Sequence, residues 1–141
     1  MIDKIEVYRR TFEARQAERV RDYDDLRRRT LAVVKRVVRR AVKSYLTVAR
    51  VYLLGSVTRA GDFRPDSDVD IAVEGVSAVE YWALWAALRD LLPDWPVDLR
   101  VLSGDASPIA HVIRRRGVKI YERAAKHATG ANLADFAELR G

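Results

Sequence analysis

The 141-residue sequence contains no cysteine, which excludes disulfides, thiolate metal sites and a cysteine nucleophile. Neither glycine nor proline occurs before Gly55, so nothing in the first third of the chain punctuates a helix. No apolar run approaches the roughly 18–20 residues that a membrane span requires. The first ten residues mix acids and bases where a secretory signal would need an apolar segment, so a cytoplasmic location is expected. Histidine is scarce: His111 and His127 have no partner at metal-ligand spacing, and neither is expected to have a role.

What is present is 49% hydrophobic and 33% charged, the mix of a folded domain. The net charge of +6 is unevenly spread. Residues 1–50 hold 15 bases and 7 acids, whereas residues 51–103 hold 4 bases and 9 acids. A basic chain invites a nucleic-acid partner, yet the acidic middle fits a divalent-cation site better, and nucleic acid is not the expected ligand. No membrane association is expected either.

Residues 1–47 read as an N-terminal helical arm with a break near Asp22–Asp25. Its first part carries a narrow stripe of Ile5, Tyr8, Phe12 and Tyr23, too sparse to be buried in so small a domain. A partner surface is expected there, either for a second copy of the chain or for another protein. From Leu31 through Val34, Val38, Ala41, Val42 and Tyr45 the spacing is that of a helix facing a core.

Beyond it, residues 48–121 alternate strands and helices. Val48–Leu54 and Asp68–Glu74 read as strands. Ser77 and Glu80 form a capping box opening a helix with Tyr81, Leu84, Trp85, Leu88 and Leu91 on one face. Trp82, beside them, is expected in the core or an interface. Val97–Leu102 reads as a strand with Val97, Leu99 and Val101 inward. Ser107, Pro108 and Gly117 bracket a further helix, whose Arg114–Arg116 complement its dipole. Val118–Tyr121 is a short last strand. Residues 122–141 form a tail with a terminal helix over Asn132–Arg140. The class is α/β (α+β), with a small mixed sheet flanked by helices.

The chemistry lies in Leu54-Gly55-Ser56 and Asp68-Val69-Asp70-Ile71. Alternate strand residues share a face, so the two carboxylates would project together about 6.6–6.8 Å apart. Asp98 has the same phase on its own strand, and adjacent strands would make three carboxylates converge. Such a group suits two hard cations, and the third carboxylate could also accept a proton. Gly55 lets backbone approach phosphate oxygens, the Ser56 hydroxyl adds a donor, and Arg59 and Arg64 are natural triphosphate partners. Each piece alone is commonplace; together they are specific.

The string from Val51 to Gly75, with Asp98 on a later strand, resembles the minimal nucleotidyltransferase (MNT) branch of the DNA polymerase β-type nucleotidyltransferases. Many members are the antitoxin halves of HEPN–MNT toxin–antitoxin pairs. The resemblance covers about Val48 to Tyr121. It implies the polymerase β-like fold, Gly55 and Ser56 as the phosphate-holding pair, and Asp68, Asp70 and Asp98 as the Mg2+-binding and catalytic carboxylates. It also implies ATP as substrate, AMP transfer to a Tyr of a cognate HEPN RNase toxin, and that toxin as partner. The Arg-x4–6-His motif of a HEPN domain is not found around His111 or His127. In the family the loop reads Gly-Ser-x-x-Arg-Gly; here Ala60 stands between Arg59 and Gly61. Two other readings compete: transfer to a small molecule such as an antibiotic, and a catalytically idle antitoxin or nucleic-acid-binding module working by complex formation.

Overall fold

The computed structural model describes residues 3–102 and 107–124. The elements run α1 (Lys4–Val42), β1 (Arg50–Leu54), a short 3-10 helix (Gly55–Thr58), β2 (Val69–Glu74), α2 (Ala78–Leu91), β3 (Val97–Leu102), α3 (Pro108–Arg116) and β4 (Val118–Glu122). The four strands form one sheet in the order β3-β2-β1-β4. β2 and β3 are parallel, and β1 is antiparallel to both β2 and β4. Among the described residues no helix is long and apolar enough to cross a membrane. The expected terminal helix over Asn132–Arg140 lies outside the described residues.

Strand alternation sorts the side chains into two layers. Val51, Leu53, Val69, Ile71, Val73 and Leu99 point toward α1 and α2, where they meet Val34, Val38, Val42, Leu84, Leu88 and Leu92. Tyr52, Ala72 and Leu102 point the other way, against Ala110 and Ile113 of α3. Asp70 shares the phase of Ala72, so the acidic residues lie on this second, more sparsely covered face.

Helix α1 is unbroken for 39 residues, about 58 Å. The break expected near Asp22–Asp25 is absent. Asp24 is tied forward to both Arg27 and Arg28 at 2.8 Å, one helical turn on, so the acids reinforce the helix. Packing also begins earlier than the apolar spacing predicts. The Arg64 guanidinium stacks 5.0 Å from the centre of the Tyr23 ring, and Arg27 donates to the Val57 carbonyl at 3.4 Å. Tyr23 is therefore part of the domain, while Ile5, Tyr8 and Phe12 are 73%, 72% and 63% exposed.

Two inward assignments shift, and Trp82, expected in the core or an interface, is not in the core. Leu91 is exposed, and Leu92 is buried in its place because the chain leaves the helix at that residue. Val101 is exposed on edge strand β3, where Leu102 turns into the second layer. Trp82 is largely exposed, with its ring edge-on to those of Tyr81 and Trp85. The capping box forms only in part. Ser77 accepts from the Glu80 amide, but the Glu80 carboxylate accepts from the amide and hydroxyl of Thr47. Thr47 Oγ1 in turn receives the Ser77 N–H. This bracket joins the end of α1 to the start of α2, and its hydrogen bonds hold the Glu80 carboxyl below its usual range.

One defect remains in the core. Thr30 is buried on α1 and its hydroxyl has no hydrogen-bond partner among the described residues. An unsatisfied buried hydroxyl costs about 1–3 kcal/mol. Thr30→Val, which keeps the shape and removes the polar atom, is expected to raise stability by about 1 kcal/mol. That corresponds to a Tm increase of about 3–6 °C by calorimetry; an unchanged or lower Tm would contradict the assignment.

Candidate active site

The site begins where β1 ends. Leu54 is extended, and Gly55 turns the chain at φ +71°. A Cβ on Gly55 would clash with Asp70 Oδ2. Glycine is needed here twice, for the left-handed backbone and for the close approach. The following turn is locked by Thr58 Oγ1 donating to the Gly55 carbonyl at 2.7 Å and by the Arg59 amide donating to the Ser56 carbonyl at 3.1 Å. Val57, fully buried, anchors it to the core. Ser56 is left half-buried beside Gly55.

On the neighbouring strands Asp70 and Asp98 are register partners, and the Val69 amide bonds the Pro96 carbonyl at 2.8 Å where the pairing starts. The Asp70 carboxyl is pushed above its usual range. Burial is the main cause, followed by the Asp98 charge and, more weakly, that of Asp68 and a hydrogen bond shared with Asp98. Arg100 acts in the opposite direction. It lies two residues beyond Asp98 on β3 and pairs with it at 3.2 Å. Sequence phase placed three carboxylates together. The structure brings Asp70 and Asp98 together, with Asp68 exposed just ahead of β2. Among the described residues no three acidic or imidazole groups are already gathered as a metal cluster. Like charges resist such gathering, and Asp98 is turned toward Arg100.

Beside the carboxylates opens a cavity of about 560 Å³. Gly55, Thr58, Arg59 and Arg100 line one side, and Ile109, Val112 and Arg116 of α3 line the other. The size is within the range of small-molecule sites. Helix α3 is set in place by Ser107, which accepts from the Ala110 amide at 3.1 Å, and by Pro108 in its first turn.

Of the loop arginines, Arg59 faces the cavity while paired to Asp62 at 2.7 Å. Arg64 stacks on Tyr23, donates to the Gly61 and Phe63 carbonyls, and does not line the cavity. The additional residue of the loop falls at its exposed tip, where Gly61 adopts φ +88° with open space around it. Sequence reasoning missed Arg100, although it shares the phase of Asp98, and also Arg116, read only as a dipole partner. Arg114, by contrast, is joined to buried Glu74 at 2.8 Å.

These electrostatics have a measurable consequence. A carboxyl whose folded pKa is raised destabilises the fold when ionised, and the penalty vanishes once pH falls below the unfolded value of 3.8. Asp70→Asn is therefore expected to raise Tm at neutral pH in metal-free buffer. The difference from wild type should close as pH falls toward 3.8. An equal or lower Tm for Asp70→Asn at pH 7 would refute this reading.

Comparison with known proteins agrees with the geometry. The family described as "Polymerase beta, Nucleotidyltransferase" matches residues 37–126, more than half of the chain. No curated protein matches the sequence. Among solved structures, a chain of a mutant MntA–HpeT toxin–antitoxin complex is 20% identical with a TM-score of 0.51, covering 75% of this chain and 89% of its own. A toxin–antitoxin structure with AMP-PNP is 22% identical, with the same TM-score and the same coverage. A complex of a tri-AMPylated Shewanella oneidensis HEPN toxin with an MNT antitoxin gives 19% identity and a TM-score of 0.48, over 79% of this chain and 99% of that one. The likeness to these structures is one of fold. From the match over residues 37–126, the chain belongs to the polymerase β nucleotidyltransferase family.

Proposed function

We propose that this protein moves AMP from ATP, with Mg2+, onto a tyrosine hydroxyl of a cognate HEPN RNase toxin and thereby acts as its antitoxin. The observation that carries the reading is the Gly55 turn pressed against Asp70, with Asp98 in register beside it and a nucleotide-sized cavity alongside. The fold is shared with a toxin–antitoxin structure holding AMP-PNP, a non-hydrolysable form of the proposed substrate.

The donor set fits a hard divalent cation. It consists of carboxylate oxygens, and the like charges that raise Asp70 are a penalty that such a cation would remove. Asp68, Asp70 and Asp98 would hold it, as one ion or two. When bound, it supplies charge neutralisation for the triphosphate and for the departing pyrophosphate.

The remaining work belongs to the chain. Gly55 and Ser56 hold phosphate oxygens, and Arg59 adds a guanidinium from the cavity wall. The tyrosine oxygen attacks the α-phosphorus as the bond to pyrophosphate breaks. Asp98, the more exposed of the strand pair, accepts the phenolic proton. The partner docks on the exposed Ile5, Tyr8 and Phe12 of the arm, which stand clear of the domain.

Two measurements test this. With radiolabelled ATP, Mg2+ and the toxin encoded beside it, wild type should label the toxin. Asp98→Asn should transfer about 10²–10⁴-fold more slowly while binding ATP within a few-fold of wild type. Undiminished labelling by Asp98→Asn would overturn the mechanism. Deleting residues 1–20, which spares Tyr23 and Arg27, should leave Tm unchanged and weaken toxin capture. Unaltered capture would remove the arm from the interface.

A further inference from the structure

The outer face of α1 carries a charge pattern that nucleotide transfer does not use. Between Leu26 and Ala49 the sequence has eight arginines and lysines and no aspartate or glutamate. At 3.6 residues per turn, Val34, Val38 and Val42 form the face buried against the sheet, and all three are fully buried. Arg29, Arg36, Arg40 and Lys43 fall opposite, with Lys35 and Arg39 on the flanks. All of them are exposed except Lys35, which is half-buried. None has a carboxylate partner among the described residues, in contrast to Arg27 and Arg28, which pair with Asp24. Only the Arg39 Nε is committed inward, to the Ile120 carbonyl at 2.7 Å. The result is a ridge of one sign, about 21 Å from Arg29 to Lys43, on the side of the sheet away from Asp70 and Asp98.

From this ridge we propose a second binding surface, independent of the nucleotide-transfer site, for the phosphate backbone of duplex RNA. A uniform row of unpaired cations calls for a uniform polyanion; protein surfaces intersperse both signs. A bilayer is disfavoured because the apolar face that such a helix would insert is already spent on the core. Arginine outnumbers lysine four to two among the six, which suits bidentate contact with phosphate. The helix is half-embedded in the domain, so it cannot enter the wide major groove of B-DNA as a free helix does. It can lie across the narrow A-form major groove, whose bordering phosphate rows face a single ridge. The sequence-level expectation against nucleic acid weighed the acidic middle against the basic ends. The fold sets this ridge on the side of the sheet away from Asp70 and Asp98.

The test uses the full chain and fluorescence anisotropy with a 24-base-pair RNA duplex at several salt concentrations. Arg36→Gln/Arg40→Gln should weaken binding at least tenfold at low salt and reduce the slope of log K against log salt by about two. The same double variant should label the toxin at the wild-type rate. Arg9→Gln/Arg10→Gln, an equal loss of charge from arginines paired to Glu6, should bind RNA as wild type does. Three results would overturn the proposal: an equal loss in the Arg9/Arg10 variant, a B-DNA duplex of the same sequence bound as tightly, or phosphatidylserine vesicles captured with the same dependence on Arg36 and Arg40.

Discussion

The contact between the Gly55 backbone and the Asp70 carboxylate is the constraint around which the rest is arranged. It requires β1 and β2 to be adjacent and antiparallel, with Leu54 opposite Asp70. It requires a residue without a side chain at the end of β1 and a turn sharp enough to bring Ser56 and Thr58 back over the strand end. Every neighbouring feature serves that approach. Val57 pins the turn from below, the Thr58 hydroxyl closes it, and Arg27 reaches across from α1 to hold the Val57 carbonyl. A turn braced from three sides is held in one geometry, the condition that electrostatic catalysis sets on any donors it uses.

The same arrangement carries a cost. Asp70 and Asp98 lie on the open face of the sheet with Asp68 exposed just ahead of it, and burial and neighbouring charge push the Asp70 carboxyl above its usual range. Stability comes from the opposite face, where valines and leucines of α1, α2 and three strands make the main core. The sheet thus separates the two demands: one layer stabilises the fold, and the other concentrates charge for chemistry.

Helix α1 links several parts of the molecule. Its middle fills the core, and Tyr23 and Arg27 brace the Gly55 turn and the loop that follows it. Its first five turns project with exposed aromatic and aliphatic side chains, and its outer face is a row of cations. A single uninterrupted helix therefore runs from the exposed arm to the loop at the site. Arg64 stacked on Tyr23 is the point at which the two meet.

Much of this was legible in the residues alone, because period and punctuation are local properties. The 3.6-residue spacing of Val34, Val38 and Val42, the two-residue alternation around Asp70, and the Ser107–Pro108 helix start each depend on neighbours in the chain. The pairing of Gly55-Ser56 with Asp68-Val69-Asp70 pointed to the candidate site for the same reason. What only the tertiary structure decided involves residues distant in sequence. Arg64 was drawn to Tyr23 instead of the cavity, Glu80 to Thr47 instead of its own helix end, and Arg100 to the cavity wall. Leu92 replaced Leu91 because the exit from a helix depends on what it packs against. The cations of α1 and the carboxylates of Asp70 and Asp98, which a linear charge count set against each other, were placed on opposite sides of one sheet, since only a folded chain has faces.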